Sequence, residues 1–119
     1  MNIGEFAYAG ERFADIQMLR YQVPGFQELS LRQKTLIFYL SQAALLGRDI
    51  LWDQNGRFNL RIRRILETVY IHYSGDRSSA EFAAFVSYMK RVWFSNGIHH
   101  HYGCEKFVPG FSKEFLHNA

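Results

Sequence analysis

The sequence contains few of the residues that cross-link a chain or keep it extended and flexible. Its 119 residues include one cysteine, Cys104, so an internal disulfide is excluded. Two prolines and nine glycines exclude a collagen-like or linker-like chain. No run approaches the ~20 apolar residues that cross a bilayer, and residues 1–9 lack the pattern of a signal peptide. We therefore expect a cytoplasmic protein without a membrane partner.

The charge is nearly balanced, with 14 basic and 11 acidic side chains and a net charge of +3. This is far from the clustered basic excess of nucleic-acid binders, so no nucleic-acid partner is expected. Hydrophobic residues make up 48% of the chain and aromatic residues 17%, which provides enough apolar surface for a packed core. The length fits one domain, and we predict a single helical domain over residues 1–119.

Apolar residues recur at spacings of three and four in four segments, which is the period of an amphipathic helix. The predicted helices are residues 11–21, 31–52, 59–73 and 78–95. Short turns separate them, and strands do not alternate with helices, so a Rossmann-type or barrel fold is not expected. The predicted fold class is all-α, mainly helical, with about four helices and a long irregular C-terminal loop.

Polar residues at the segment starts predict where the helices begin. Ser30 stands three residues before Gln33, and Ser78 stands three before Glu81. Both pairs have the spacing of a capping box, which satisfies two free backbone N–H groups at a helix start. Asn59 is the predicted N-cap of the third helix. An Asn-Gly pair at 96–97 is expected to end the fourth.

Residues 98–111, IHHHYGCEKFVPGF, depart from the helical period. The three consecutive histidines suggest a metal site, because imidazole is a common metal ligand. However, consecutive side chains point in different directions, and no His-Glu-x-x-His pattern is present. Three interpretations stay open: a metal site, a polar loop on a binding surface, and imidazoles hydrogen-bonded to the backbone. The binding loop is favoured, and no metal ligand is assigned.

Cys104 also allows several interpretations. It would be a nucleophile if His101 and Lys106 lowered the pKa of its thiol. It is otherwise an exposed, modifiable thiol or an inert packed one. Because no orienting Asn or Asp can be assigned from the sequence, no catalytic residue is assigned.

Arg57, Arg61 and Arg64 form one stripe at helical spacing, with Arg63 beside it. Such a stripe can bind phosphates. Glu67, three and four residues after Arg64 and Arg63, favours helix-surface ion pairs instead. A solvated face is therefore the preferred interpretation, ahead of a contact with another domain or with nucleic acid.

Residues 92–109, VWFSNGIHHHYGCEKFVP, resemble the N-terminal region of the dipeptidyl peptidase III family of zinc metallopeptidases. The shared features are an aromatic residue near a helix end, the glycine at Gly97, an aromatic-Gly pair and the run Lys-Phe-Val-Pro. The segment YLSQAA at 39–44, followed by Gly47, is similar to the family's first long helix. The triple histidine resembles the bacterial branch, and the likeness covers roughly residues 14–116.

The resemblance implies that the chain is the N-terminal part of a larger, two-lobed α+β enzyme that removes dipeptides from peptide N-termini. The family holds its zinc with a His-Glu-x-x-Gly-His motif and a later glutamate, and this motif is missing here. The chain alone is therefore expected to be inactive and without a cofactor, while zinc belongs to the full-length enzyme. The implied partners are the rest of the peptidase polypeptide and short peptide substrates.

In the family, the equivalent loop lines the peptide-binding cleft. Tyr102 matches the cleft aromatic residue, His101 the polar residue before it, and Gly103 the glycine after it, so these three are the expected substrate-binding residues. Cys104 departs from the family's more usual acidic residue, which leaves its role open. The alternative from another class is an independent helical interaction module without catalytic activity.

Overall fold

The structure is a computed structural model that describes residues 6–119. It is mainly helical, with a small two-stranded antiparallel sheet. The elements are β1 (Ala9–Phe13), β2 (Ile16–Leu19), a short 3₁₀ helix (Phe26–Glu28), α1 (Leu31–Leu46), α2 (Arg48–Asn55), α3 (Asn59–His72), α4 (Ala80–Ser95) and α5 (Lys113–Asn118). The chain divides into two compact units, the first ending at Gly47 and the second formed by Arg48–Ala119. No helix among residues 6–119 has both the length and the apolar character needed to cross a membrane.

The first unit contains a β-hairpin where the sequence predicted a helix over residues 11–21, so that prediction is wrong. β1 and β2 pair antiparallel, with Phe13 opposite Ile16. Ala14, in the turn between them, has a φ of 48°, a left-handed conformation that interrupts any right-handed helix. The spacing of three between Phe13 and Ile16, which resembled a helix, therefore joins residues of two different strands.

α1 begins where the sequence predicted it. The hydroxyl of Ser30 accepts the backbone N–H of Gln33 at 3.3 Å, and Oε1 of Gln33 accepts the backbone N–H of Ser30 at 2.9 Å, which confirms this capping box. The predicted single helix over 31–52 is wrong, because Gly47 separates α1 from α2. The Gly47 N–H bonds to the carbonyl of Ala44, three residues back, at 3.2 Å. This is a 3₁₀-type turn at a residue with poor helix propensity.

α3 matches its predicted extent closely, but its predicted cap is wrong. Asn59 is the first residue inside α3, and Phe58 occupies the cap position without a side-chain hydrogen bond. The side chain of Asn59 instead accepts the backbone N–H of Ile98 at 3.4 Å, on a segment 39 residues away. A tertiary contact has thus replaced the local cap.

α4 also matches its predicted extent, but the predicted capping box between Ser78 and Glu81 is wrong. Ser79 caps the helix, with its hydroxyl accepting the N–H of Phe82 at 3.2 Å. The hydroxyl of Ser78 donates to Oδ1 of Asp76 at 2.6 Å in the preceding turn. The predicted end of the helix is confirmed, since the residue that follows Ser95 adopts a left-handed conformation with a φ of 52°.

The core of the second unit is organised around α4. Phe85, Met89 and Val92, at spacings of four and three, are almost completely buried. The other buried members of this core are Trp52, Leu66, Phe82, Phe107 and Phe115. They come from α2, α3, α4, α5 and the loop after α4. The core therefore holds the helix before that loop and the helix after it.

The predicted irregular C-terminal loop is more ordered than expected. His99 and Lys106 form an isolated antiparallel bridge, and the helix α5 after it was not predicted. Ser112 caps α5 by accepting the N–H of Phe115 at 3.0 Å. The single turn of apolar spacing in α5 is too short to give a clear helical period in the sequence.

Candidate functional site

The histidine loop, residues 98–107, folds back on itself as a narrow hairpin. The backbone N–H of Phe107 donates to the carbonyl of Ile98 at 2.8 Å, and the N–H of His100 donates to the carbonyl of Glu105 at 2.9 Å. At the tip, the N–H of Gly103 donates to the carbonyl of His100 at 3.2 Å. These bonds give the loop a defined shape, so its side chains project from fixed positions.

The core and α4 anchor the base of this hairpin. The ring of Phe107 is buried, and the guanidinium carbon of Arg91 lies 4.4 Å from the centre of that ring. Ile98, on the opposite strand of the hairpin, packs against the same core and donates its N–H to Asn59. The loop is therefore a rigid projection from a packed scaffold, which is the usual setting of a binding loop.

The structure brings the three predicted substrate-binding residues together at the tip. Tyr102 is 91% exposed, which leaves its ring free to contact another molecule. The ring centre of His101 lies 4.3 Å from that of Tyr102 and 4.9 Å from that of Phe94 on α4. At Gly103, a Cβ would lie 2.7 Å from a carboxylate oxygen of the exposed Glu105 side chain, which would have to move aside.

The three histidines do not converge as metal ligands do. The rings of His100 and His101 stack with their centres 4.4 Å apart, and Nδ1 of His100 accepts the backbone N–H of Tyr102 at 3.2 Å. Cys104 is an exposed free thiol. Within residues 6–119, no group of three or more His, Cys, Asp and Glu side chains is placed to hold a metal ion. These residues do not form a zinc ligand set, so we derive no catalytic step through zinc.

A cavity of about 540 Å³ lies beneath the hairpin, and it was not predicted from the sequence. Its walls come from the histidines at 99–101, the end of α4, the last residue of α2 and the first residue of α3. Asn55 and Asn59 contribute to it, although the sequence suggested only a turn and a cap for them. Nδ2 of Asn55 donates to the carbonyl of Ser95 at 3.3 Å, which links the end of α2 to the end of α4.

Arg63, which lies beside the arginine stripe, is held in place by ion pairs within the fold. Arg63 forms ion pairs with Glu67 at 2.8 Å and with Asp49 at 2.9 Å, and it lies over the buried ring of Trp52. The hydrogen bond to Glu67 raises the pKa of Arg63 above its ordinary value. The predicted pairing with Glu67 is thus confirmed for Arg63, and Trp93 of α4 donates to the same carboxylate at 3.1 Å.

Comparison with models of protein families gives no match, and comparison with curated protein sequences gives no significant match. The assignment to the dipeptidyl peptidase III family therefore stays a prediction that rests on the motif residues themselves.

Proposed function

We propose that the chain is the N-terminal part of a zinc-dependent dipeptidyl peptidase of the dipeptidyl peptidase III family, acting in the cytoplasm. In this proposal the chain supplies part of the peptide-binding cleft and no catalytic residue. The observation that carries the proposal is the presentation of Tyr102, an almost fully exposed aromatic side chain at the tip of a rigid hairpin. The motif resemblance predicts a cleft residue at this position.

The tip has the chemistry that a peptide subsite needs. The ring of Tyr102 offers an apolar face to a side chain of the peptide, and the tilted ring of His101 lies beside it at 4.3 Å between ring centres. Gly103 has no side chain, so a peptide main chain can approach the loop backbone there once the exposed carboxylate of Glu105 moves aside. Apolar surface combined with a few fixed polar groups is the usual composition of a small-ligand site. The substrates proposed are short peptides.

α1 supports the proposal that further polypeptide packs on this chain. Its only charged residues are Arg32 and Lys34 in the first turn, and the following apolar residues lie on all sides of the helix. Within the first unit none of its residues is buried, and Leu36, Phe38 and Leu40 are each more than half exposed. A helix that is apolar all round is typical of the interior of a larger protein. We propose that the rest of the peptidase polypeptide covers it.

The second candidate function is an independent helical interaction module. The same exposed apolar residues of α1 favour it, because a separate protein partner can cover them as well as a further segment of the same chain. The two candidates differ in what is encoded after Ala119. The peptidase requires a His-Glu-x-x-Gly-His motif downstream, whereas the interaction module does not.

The experiment is to read the gene beyond Ala119 and to assay both the longer product and the 119-residue chain on a dipeptidyl chromogenic substrate. We expect the longer product to contain zinc and to release dipeptides, with activity lost on chelation and regained on adding zinc. We expect the 119-residue chain to retain no zinc after dialysis and to show no turnover. A longer product without the motif, or turnover by the short chain, would contradict the proposal.

A further inference from the structure

Both tryptophans of the chain line a pocket of about 520 Å³ that is formed by residues of the second unit. Leu51 and Trp52 belong to α2, and Trp93 belongs to α4. We call this site the tryptophan pocket. Two of its apolar walls are open to a ligand, because Leu51 is 51% exposed and Trp93 is 38% exposed. A pocket of this size is large enough to hold a small molecule.

A hydrogen bond holds the ring of Trp93 in place at this pocket. Its Nε1–H donates to Oε1 of Glu67 at 3.1 Å, and Nε of Arg63 donates to the same oxygen at 2.8 Å. Arg63 also pairs with Asp49 at 2.9 Å. Two carboxylates thus bind the Arg63 guanidinium, so its positive charge is compensated within the protein. Because the polar atom of Trp93 is already paired, the ring is a preformed apolar wall.

Arg48 gives the tryptophan pocket a positive charge that the protein does not compensate. It lines the pocket together with Arg63 and Glu67, and it is an exposed residue. Among residues 6–119, no ion pair or hydrogen bond involves the Arg48 guanidinium. Since Arg63 and Glu67 neutralise each other, the charge that remains at the pocket is positive. This balance favours an anion over a cation.

We propose that the tryptophan pocket binds a small carboxylate with an apolar body. The carboxylate pairs with Arg48, whose planar guanidinium can donate two parallel hydrogen bonds to such a group. The apolar body lies against the exposed surfaces of Leu51 and Trp93. The inference does not rest on the proposed peptidase function, because none of these residues belongs to the histidine loop. It assigns a second binding site to the chain.

The test uses intrinsic tryptophan fluorescence, because both tryptophans of the chain line the pocket. The 119-residue chain is titrated with sodium phenylacetate at neutral pH and constant ionic strength, and in parallel with sodium acetate and with phenethylamine. We expect phenylacetate to change the emission along a saturating curve. Acetate has the charge without the apolar body, and phenethylamine has a similar body with the opposite charge. Each should bind about tenfold more weakly or not at all.

Two variants and their controls separate the charge of the pocket from its apolar walls. Arg48→Gln removes the positive charge and should weaken phenylacetate binding about threefold to tenfold. Arg61→Gln lowers the net charge equally at an exposed position outside the pocket, so it should leave the affinity unchanged. Leu51→Ala should also weaken binding, whereas Ile50→Ala, at an exposed neighbouring position that does not line the pocket, should not.

Stronger binding of phenethylamine than of phenylacetate would show that the carboxylate of Glu67 selects a cation, and it would overturn the proposal. Equal affinities for acetate and phenylacetate would overturn it too, since the apolar walls would then contribute nothing. If phenylacetate fails to saturate the chain, or binds the Arg48→Gln variant as tightly as the parent, the pocket is not a carboxylate site.

Discussion

Aromatic side chains in the second unit show how single residues hold this fold together. Phe85 has no exposed surface, and its ring centre lies between 5.5 and 6.0 Å from those of Phe82, Phe111 and Phe115. These rings come from α4, from the segment after the histidine hairpin, and from α5. One residue thus connects three parts of the chain.

Replacing Phe85 with Ala should lower the free energy of unfolding by roughly 3–5 kcal/mol, because the surrounding rings cannot collapse into the space that the side chain leaves. Phe58→Ala is the matched control, since Phe58 is 57% exposed and lies outside the core. Its effect should stay below about 1 kcal/mol. Urea unfolding of both variants measures the difference, and equal losses would contradict this account of the core.

Asn59 shows why a residue's role is not always readable from the sequence. Asparagine before an apolar run is a strong N-cap signal, and the helix does begin at this position. Its side chain nevertheless bonds to Ile98, because the chain after α4 returns to the start of α3. That contact depends on the tertiary arrangement, which local spacing does not contain. The cavity beside Asn59 could not be predicted for the same reason.

Among the secondary-structure elements, two glycines mark boundaries that the sequence did not predict. Gly25 lies before the 3₁₀ helix, and Gly47 separates two helices that the sequence predicted as one. Gly25 precedes the 3₁₀ helix with a φ of 84°, a conformation that other residues adopt only with strain. Gly47 has a φ of −80° and a ψ of −4°, which any residue can adopt. A Cβ on Gly47 would meet only the carbonyl oxygen of Ala44, at an ordinary contact distance of 3.5 Å.

The two glycines should therefore respond oppositely to replacement with Ala. Gly25→Ala should destabilise the first unit by about 1–2 kcal/mol, the cost of a left-handed conformation with a side chain. Gly47→Ala should stabilise the chain by about 0.4–1 kcal/mol, because it reduces the conformational entropy of the unfolded state. Thermal unfolding followed by circular dichroism tests both, and changes of the same sign would refute this interpretation.

The hairpin formed by β1 and β2 shows where the spacing of apolar residues fails to predict secondary structure. Its turn contains Ala14 and Asp15 and no glycine, so the usual signal of a tight hairpin turn was missing. α3, α4 and the start of α1 were predicted correctly because each of these helices spans three or more turns, whereas the end of α1 at Gly47 was missed. The short elements, α5 and the two strands, give too few residues for their period to decide between structures.

A carboxylate in the first turn of α4 links that helix to the start of α5. Glu81 accepts the backbone N–H of Ser112 at 3.1 Å, and hydrogen bonding from Ser112 lowers the pKa of Glu81 below its ordinary value. In the unfolded chain this carboxyl group binds a proton more readily. Its stabilising contribution is therefore fully present above the ordinary pKa and is lost as the pH falls through the lowered folded value.

Glu81→Gln should accordingly flatten part of the decline in the free energy of unfolding as the pH falls from about 5 through the range in which carboxyl groups bind protons. Glu114→Gln, in α5, leaves the bond between Ser112 and Glu81 in place and serves as the control. Urea unfolding across this range compares the two variants with the parent. If the Glu81 variant follows the same pH dependence as the parent, Glu81 does not contribute to the acid sensitivity of this fold.

At the scale of the whole molecule, the exposed part of the arginine stripe is interpreted as a solvated face. Arg57, Arg61 and Arg64 are exposed, while Arg63 is held by its ion pairs. Replacing the three exposed arginines with Ala should leave binding to DNA and RNA unchanged, at the low level expected for a net charge of +3. Salt-sensitive, micromolar binding that is lost in this variant would show a nucleic-acid site instead.

The candidate site was predictable in part. The sequence located the loop and the residues at its tip, because an unusual run of aromatic and imidazole side chains interrupts the helical pattern after Gly97. It did not reveal the antiparallel bridge between His99 and Lys106, which forms the loop into a hairpin. Whether the two sides of a loop pair with each other depends on the core residues at its base, above all Phe107. Local sequence patterns do not show which loop residues join the core, because this depends on how the helices pack.

Whether Tyr102 lies in a peptide-binding cleft is decided by the steady-state kinetics of Tyr102→Ala in the longer peptidase that we propose, with zinc content determined on the same preparation. The loss of a partly buried aromatic contact with the peptide should cost about 1–3 kcal/mol, which is roughly a tenfold to hundredfold decrease in kcat/KM. The decrease should be larger for peptides with bulky N-terminal residues than for peptides with small ones, at unchanged zinc content. Unaltered kinetics, an equal loss for all peptides, or a parallel loss of zinc would contradict the assignment of Tyr102 to the peptide cleft.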